Sequence, residues 1–342
     1  MVTMKDVAKH CGVSVSTVSR VLSGNELISP ETTGLVLRAA EDLGYTPDFT
    51  ARSLKTNRSD MIGILFDSFL THPYFSRIID AVRIHAEANG FDVLFLSRVK
   101  RNGKIDYTET ALSRRMDGVL VVYADVESES IRKLTKGHIP VVSIDAEERD
   151  VPSVLSDYSQ ATEEMVDWIA GKGHRRIAFI HGEMGYATAE RLKGFRRAMQ
   201  KHGFDIPENY IRPGKFNDPE RCARETESLL ALPVPPSCIL MPDDYSAVNA
   251  LRILREKNLT APADFSCAGY DGIPLSQAVS PRLTTFRQNT EEIGKKAVEM
   301  LMAAIQSGTA SARSASPQTG TGLSRDVTVR GELIPGETVA EL

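Results

Sequence analysis

The chain has little of what staples, anchors or ligates. Its 342 residues hold only four cysteines, Cys11, Cys222, Cys238 and Cys267, scattered with no CxxC pair. That spacing points to reduced thiols and away from a zinc site. No apolar run reaches the roughly 18 residues that a membrane span needs. The opening MVTMKDVAKH is polar and lacks the apolar stretch of a secretory leader, so a cytoplasmic location is expected. There is no GxGxxG, no GxxxxGK[ST] and no GxSxG. His72, His138, His174 and His181 have no acid or nucleophile spaced to partner them. No enzyme, metal or cofactor is therefore expected. Neither sign of charge dominates, and the net value is −4. Residues 1–58 carry seven Lys/Arg against six Asp/Glu. Any nucleic-acid affinity must then come from local placement and from paired heads, not from a broad cationic field.

What is present begins at residue 4. MKDVAKHCGVSVSTVSRVLSGN reads as two short helices around a glycine corner, the build of a helix-turn-helix. Thr3 is placed to cap the first helix, with Asp6 at capping-box spacing. Val7 and Ala8 give that helix an inner face. Gly12 sits at the turn, Ser14 can cap the second helix, and Val18, Val21 and Leu22 point inward. Val15, Ser16, Ser19 and Arg20 are left outside. An arginine there can grip guanine with two bonds, and a valine can touch a thymine methyl. Ser29-Pro30-Glu31 opens a third helix. Its expected packing face is Leu35, Leu37, Ala39, Ala40 and Leu43, with Gly44 as the stop. The same pattern also suits a plain three-helix bundle with no DNA role.

Thr46-Pro47 begins a short segment that would be a marginal helix alone in water. From Met61 the pattern alternates. MIGILF, FDVLFL, DGVLVV, PVVSID, RRIAFIH, SCILM and FSCAGYD are short apolar runs, separated by helical stretches such as 75–89, 159–171, 189–202, 219–231 and 245–257. That order predicts an α/β body of two doubly wound parallel sheets, one near 61–158 and one near 160–287. A cleft beyond the strand ends is the natural pocket. Residues 309–322, TASARSASPQTGTG, form a low-complexity stretch, after which DVTVRGELI reads as one last strand.

DVAKHCGVSVSTVSRVLSG, ISPET and AAEDLGYTPDFTARSLKT resemble the head and hinge of the lactose/galactose-repressor (LacI–GalR) family. The likeness continues through 113–119, 173–178, 191–195, 269–271 and 283–288. It implies a helix-turn-helix head (1–46), a hinge (47–60) and a periplasmic-binding-protein-like body (61–342). The body would divide into a first half of about 61–158 plus 289–322 and a second of about 159–288 plus 323–342. Chain crossings would fall near 158–161, 286–290 and about 322. The resemblance assigns DNA contact to Val15, Ser16, Thr17, Ser19, Arg20, Ala51, Leu54 and Lys55, with Leu54 as an apolar wedge that unstacks a base step. It assigns effector contact to Tyr74, Phe75, Tyr186, Thr188, Arg191, Phe216, Asp243, Asp271 and Gln288. The implied protein is a homodimeric regulator, a repressor, binding double-stranded operator DNA under control of a small molecule. A carbohydrate suits facing Arg and Asp groups best. Alternatives are a purine-type corepressor, a protein partner, or a solute-binding protein without a DNA role.

Overall fold

The computed structural model describes residues 2–22, 27–46, 58–66, 70–96, 105–122, 128–146, 151–308 and 326–342. The chain divides into two compact units, Met1–Ser59 and Asp60–Leu342. The expected hinge contacts Ala51, Leu54 and Lys55, and the 309–322 stretch, lie outside the described residues.

The first unit is helical: α1 (Met4–Cys11), α2 (Val15–Leu22) and α3 (Pro30–Asp42). The Thr3 hydroxyl accepts the Asp6 N–H, and the Asp6 carboxylate accepts the Thr3 N–H in return at 2.9 Å. Gly12 takes φ +67 at the corner, a left-handed conformation that a side chain would strain. Ser14 accepts the Thr17 N–H at 3.1 Å and starts α2. Val7, Ala8, Val18, Val21, Val36, Ala39 and Ala40 make the core. One expectation is corrected here. Val36 is the buried residue of its stretch of α3, whereas Leu35 and Leu37 are 44% and 50% exposed. A helical turn holds 3.6 residues, so consecutive positions diverge by about 100° and only Val36 shares the Ala39–Ala40 face.

The second unit is built on two sheets. Strands β1 (Met61–Phe66), β2 (Asp92–Phe95), β3 (Gly118–Val122), β4 (Val141–Ile144), β5 (Ser153–Ser156) and β11 (Asp326–Val329) form one parallel sheet, ordered β11-β5-β4-β3-β1-β2. Helices Pro73–Ala88 and Thr290–Ser307 cover one face through Ile78, Val82, Ile293 and Leu301. Helices Tyr107–Ser113 and Glu129–Thr135 contribute Ala111 and Leu134 to the core on the other. Burial on both faces explains why β3 and β4 are apolar without alternation. The second sheet is also parallel: β6 (Ile177–His181), β7 (Ile211–Pro213), β8 (Cys238–Leu240) and β9 (Ser266–Ala268), ordered β7-β6-β8-β9. A short antiparallel ribbon of β10 (Thr285–Arg287) and β12 (Glu332–Ile334) completes that half. Single bridges link Ala268 to Thr284 and Asp271 to Arg287.

The chain passes between halves after β5, after β10 and after β11. The last passage departs from the expected crossing at about 322. β11 pairs with β5 in the first sheet, and β12 pairs with β10 in the second half. DVTVRGELI is therefore two strands in two sheets, crossing at residues 330–331. A continuous apolar-polar alternation cannot reveal such a break, because both strands keep their period.

Helices Tyr158–Gly171 and Tyr186–Lys201 pack closely at Gly194, where an added Cβ would lie 2.0 Å from the Ser159 carbonyl oxygen. Gly194→Ala must push these helices apart. The expected loss is about 1–3 kcal/mol of body stability, read as a lowered urea midpoint; an unchanged midpoint would contradict this packing.

Candidate functional site

The head presents one face of α2. Val15 is 41% exposed, Ser16 and Arg20 are exposed, and Thr17 and Ser19 are half-buried. The Ser14 hydroxyl lies 2.7 Å from that of Ser16 and 2.8 Å from that of Thr17. These hydroxyls thus form a small polar platform at the start of α2, with Arg20 in its last turn. Val18 and Val21 anchor the opposite side of the helix. A helix fixed by its inner face, with hydroxyls, a methyl-bearing side chain and a guanidinium outside, can read base edges in a major groove.

The body's candidate site lies at the carboxyl ends of strands from both sheets, where doubly wound folds bind ligands. From the first half, Tyr74 at the start of helix Pro73–Ala88 donates its hydroxyl to the Asp145 carboxylate. Asp145 directly follows β4, has φ +56, and also accepts the Ser156 N–H at 3.2 Å. Burial pushes its carboxyl up, and the Tyr74 hydrogen bond pulls it partly back. Phe75 packs against Phe66 and His72, with ring centroids 5.7 and 4.8 Å away.

From the second half, Arg191 is only 3% exposed. Its two terminal nitrogens donate to the carbonyls of Pro242 (2.6 Å) and Met241 (3.1 Å), just beyond β8. Its guanidinium lies 3.9 Å from the Tyr270 ring centroid and 5.1 Å from that of Phe179. Burial pulls the guanidinium's pKa down, while Tyr270 and Asp271 oppose the shift. Asp271 follows Tyr270, has φ +104, and accepts the Gln288 amide N–H at 2.7 Å. Desolvation pushes its carboxyl well up, reinforced by repulsion from Asp244 and Asp243. Tyr158 stacks on Tyr270 at 6.1 Å and meets Tyr186 edge-on at 6.2 Å.

The expected effector residues separate into two groups. Tyr74, Phe75, Tyr186, Arg191, Asp271 and Gln288 line these strand ends. Phe216 is half-buried, lies against Gly182, and its N–H donates to Glu183 at 2.9 Å. Thr188 and Asp243 also hold the scaffold. The Thr188 hydroxyl donates to the Glu183 carbonyl at 2.7 Å. Asp243 caps helix Asp244–Glu256, accepting from the Ser246 N–H and hydroxyl and from the Asn217 N–H. It thereby ties down the loop that carries Phe216.

Four residues were not anticipated: Asp145, Tyr158, Asp244 and Tyr270. Asp145 had a readable signal, an acid closing the apolar PVVSI run at a strand's carboxyl end. Asp244 is fully buried. It accepts the Ile273 N–H at 2.9 Å and the Thr285 hydroxyl at 2.6 Å, so it clamps the turn bearing Asp271 onto β10. Burial pushes its carboxyl up to about 8.

That shift sets a pH dependence. An unfolded aspartate titrates near 3.9, so Asp244's contribution to stability is complete below about pH 4 and is lost as pH rises through about 8. Unfolding midpoints across pH 4–9 should therefore fall more steeply in the unmodified protein than in Asp244→Asn. Parallel curves would contradict this.

Residues 3–48 match the model for bacterial regulatory proteins of the lacI family, and residues 166–325 match a periplasmic binding protein-like domain. The chain is 35% identical over 315 residues to the HTH-type transcriptional repressor PurR of Pasteurella multocida, covering 89% of this chain and 92% of that protein. It is 31% identical over 312 residues to a probable HTH-type transcriptional repressor, ExuR, of Bacillus subtilis, with 89% and 92% covered. In fold it is similar to the lac repressor dimer bound to operator and the anti-inducer ONPF (TM-score 0.78, 24% identity, 99% of each chain). It is also similar to the transcriptional regulator CelR–cellobiose complex (TM-score 0.68, 24% identity, 99% of this chain and 100% of that one).

Proposed function

This chain belongs to the lacI family of bacterial regulatory proteins and is a DNA-binding transcriptional regulator of the repressor kind, and on that premise we propose that a sugar or sugar derivative bound at the body's strand ends controls operator affinity. One observation carries the reading. Groups from both halves converge on the same strand ends: Tyr74 and Asp145 from the first, and Arg191, Tyr270, Asp271 and Gln288 from the second. A ligand touching both sets favours one relative angle of the halves. Only its difference in affinity between the two angles does work, and about 1–3 kcal/mol is typical of such coupling.

On the DNA side, Val15, Ser16, Thr17, Ser19 and Arg20 read the major groove. Ala51, Leu54 and Lys55 form the hinge contacts, with Leu54 inserted in the minor groove. The active species is a homodimer, because one short helix reads few base pairs and paired heads match a pseudo-palindrome. Tyr245 and Leu275, 40% and 39% exposed on the neighbouring helices Asp244–Glu256 and Pro274–Ala278, are apolar groups available for that pairing. A purine-type corepressor is the second reading, favoured by the relatives named PurR and by the flat rings of Tyr158 and Tyr270.

Three substitutions test this by fluorescence anisotropy on operator variants. Arg20→Ala should cost about 1–3 kcal/mol at one base pair and relax specificity there; an equal loss on every sequence would make Arg20 a phosphate contact. Leu54→Ala should weaken operator binding while random-sequence binding and the body's unfolding stay unchanged; full operator affinity would reject the wedge. Asp271→Ala should abolish the effector response and keep operator affinity; a retained response would move the effector site elsewhere.

A further inference from the structure

We propose a second ligand site in the second half, at the amino ends of its strands, for a metabolite-sized organic anion with a ring or apolar body. It lies at the opposite end of the sheet from the strand ends described above. Arg175 and Arg176 precede β6, Tyr210 precedes β7, and Leu232 and Val234 precede β8. With the end of helix Tyr186–Lys201 they line a cavity of about 630 Å³. Small-molecule sites usually measure roughly 300–1,000 Å³. β6 is five residues long, so roughly 16 Å of strand separates this cavity from the carboxyl ends.

The walls are fixed before anything binds. The stretch LPVPPS places prolines at 233, 235 and 236, each with a restricted φ. The buried Tyr210 hydroxyl donates to the Val234 carbonyl at 2.8 Å and joins two walls. The Ser237 N–H donates to the Arg176 carbonyl at 2.8 Å, and the Arg176 Nε–H donates to the Pro235 carbonyl at 2.9 Å, which joins the third. His202 is held by Asp167 at 2.7 Å and stacks on Phe204, with ring centroids 5.3 Å apart. A cavity already shaped loses little conformational freedom on taking a ligand.

Its chemistry is cationic and apolar together. Among the described residues the Arg175 side chain makes no hydrogen bond or ion pair, and Arg176 is oriented through Nε with both terminal nitrogens unengaged. Such an end-on pair of nitrogens takes a carboxylate or phosphate by two parallel bonds. Burial pushes the Tyr210 hydroxyl's pKa up and the Arg176 charge opposes the shift, so the cation reaches the cavity's buried wall. The two guanidiniums and the His202 ring share the lining with one carboxylate, Asp205. Phe204, Leu232 and Val234 supply ring and aliphatic surface, and Val234 is 60% exposed. A bare ion would leave that surface wet, and a wholly apolar molecule would leave the guanidiniums unused. An anion carried on a ring or apolar body satisfies both.

Calorimetric titration of the full chain tests the proposal. The probes are phenyl phosphate, benzoate, AMP, glucose 6-phosphate and inorganic phosphate. At least one organic anion should saturate a site and bind about tenfold or more tightly than inorganic phosphate. Arg175→Ala and Arg176→Gln should each weaken it by about tenfold, while Asp271→Ala at the other end of the sheet leaves it unchanged. Should Arg176→Gln lower the urea midpoint, Arg175→Ala decides alone, because that side chain bonds nothing in the fold. An anion lost in Asp271→Ala and kept in both arginine variants binds at the carboxyl ends and overturns the proposal. Organic anions no tighter than inorganic phosphate mean an adventitious ion only and overturn it too. So does a panel in which no anion binds; each of these results leaves the effector reading of the cleft untouched.

Discussion

A single buried guanidinium organises the second half of the body. Arg191 cannot keep its charge away from water without compensation. It obtains that from two strand-end carbonyls, the face of Tyr270 and the field of Asp271. Each partner is thereby fixed at the mouth of the sheet. The carbonyls hold the segment after β8, from which Asp243 caps the next helix and ties the Phe216 loop. Tyr270 holds Tyr158 in a stack, and Asp271 holds Gln288. The polar wall follows from the need to satisfy one cation.

Gln288 gives this wall its mechanical meaning. It lies between β10, which belongs to the second half, and helix Thr290–Ser307, which packs on the first sheet. A ligand bonded to Gln288 and Asp271 therefore acts at the point where the chain changes halves. In the first half, Tyr74 heads the helix that packs along Thr290–Ser307. Its hydroxyl on Asp145 links that helix pair to the end of β4. Arg77 of the same helix reaches across to the Gly272 carbonyl, beside Asp271, at 3.3 Å. Movement at the ligand thus has continuous packed paths into the first half, as a two-state device requires.

Much of this was legible in the sequence, for reasons that differ by residue. The caps at Thr3, Ser14 and Ser29 act over three residues and are read directly. The buried strands announced themselves because both faces are covered, so MIGILF and DGVLVV have no polar alternation. Arg191, Asp271 and Gln288 came from resemblance; Gln288 bonds Asp271, and Asp271 acts on the Arg191 charge. The misses at Asp244 and at the last strands share one cause: they depend on partners far along the chain. Asp244 meets Thr285 forty-one positions away, and β11 meets β5 across 173 residues. Nothing local marks Asp243 as a cap that also receives a loop N–H from Asn217. The split of DVTVRGELI is invisible for the same reason, since strand pairing is decided by the sheets and not by the segment.

Coupling between body and head is the central claim, and thermodynamics makes it measurable from either side. The direct measurement is the dissociation constant of the effector for the 342-residue chain, taken with and without saturating operator duplex. The effector's affinity should change by the same factor by which the effector changes operator affinity. An effector that binds equally well to free and operator-bound protein would contradict the account.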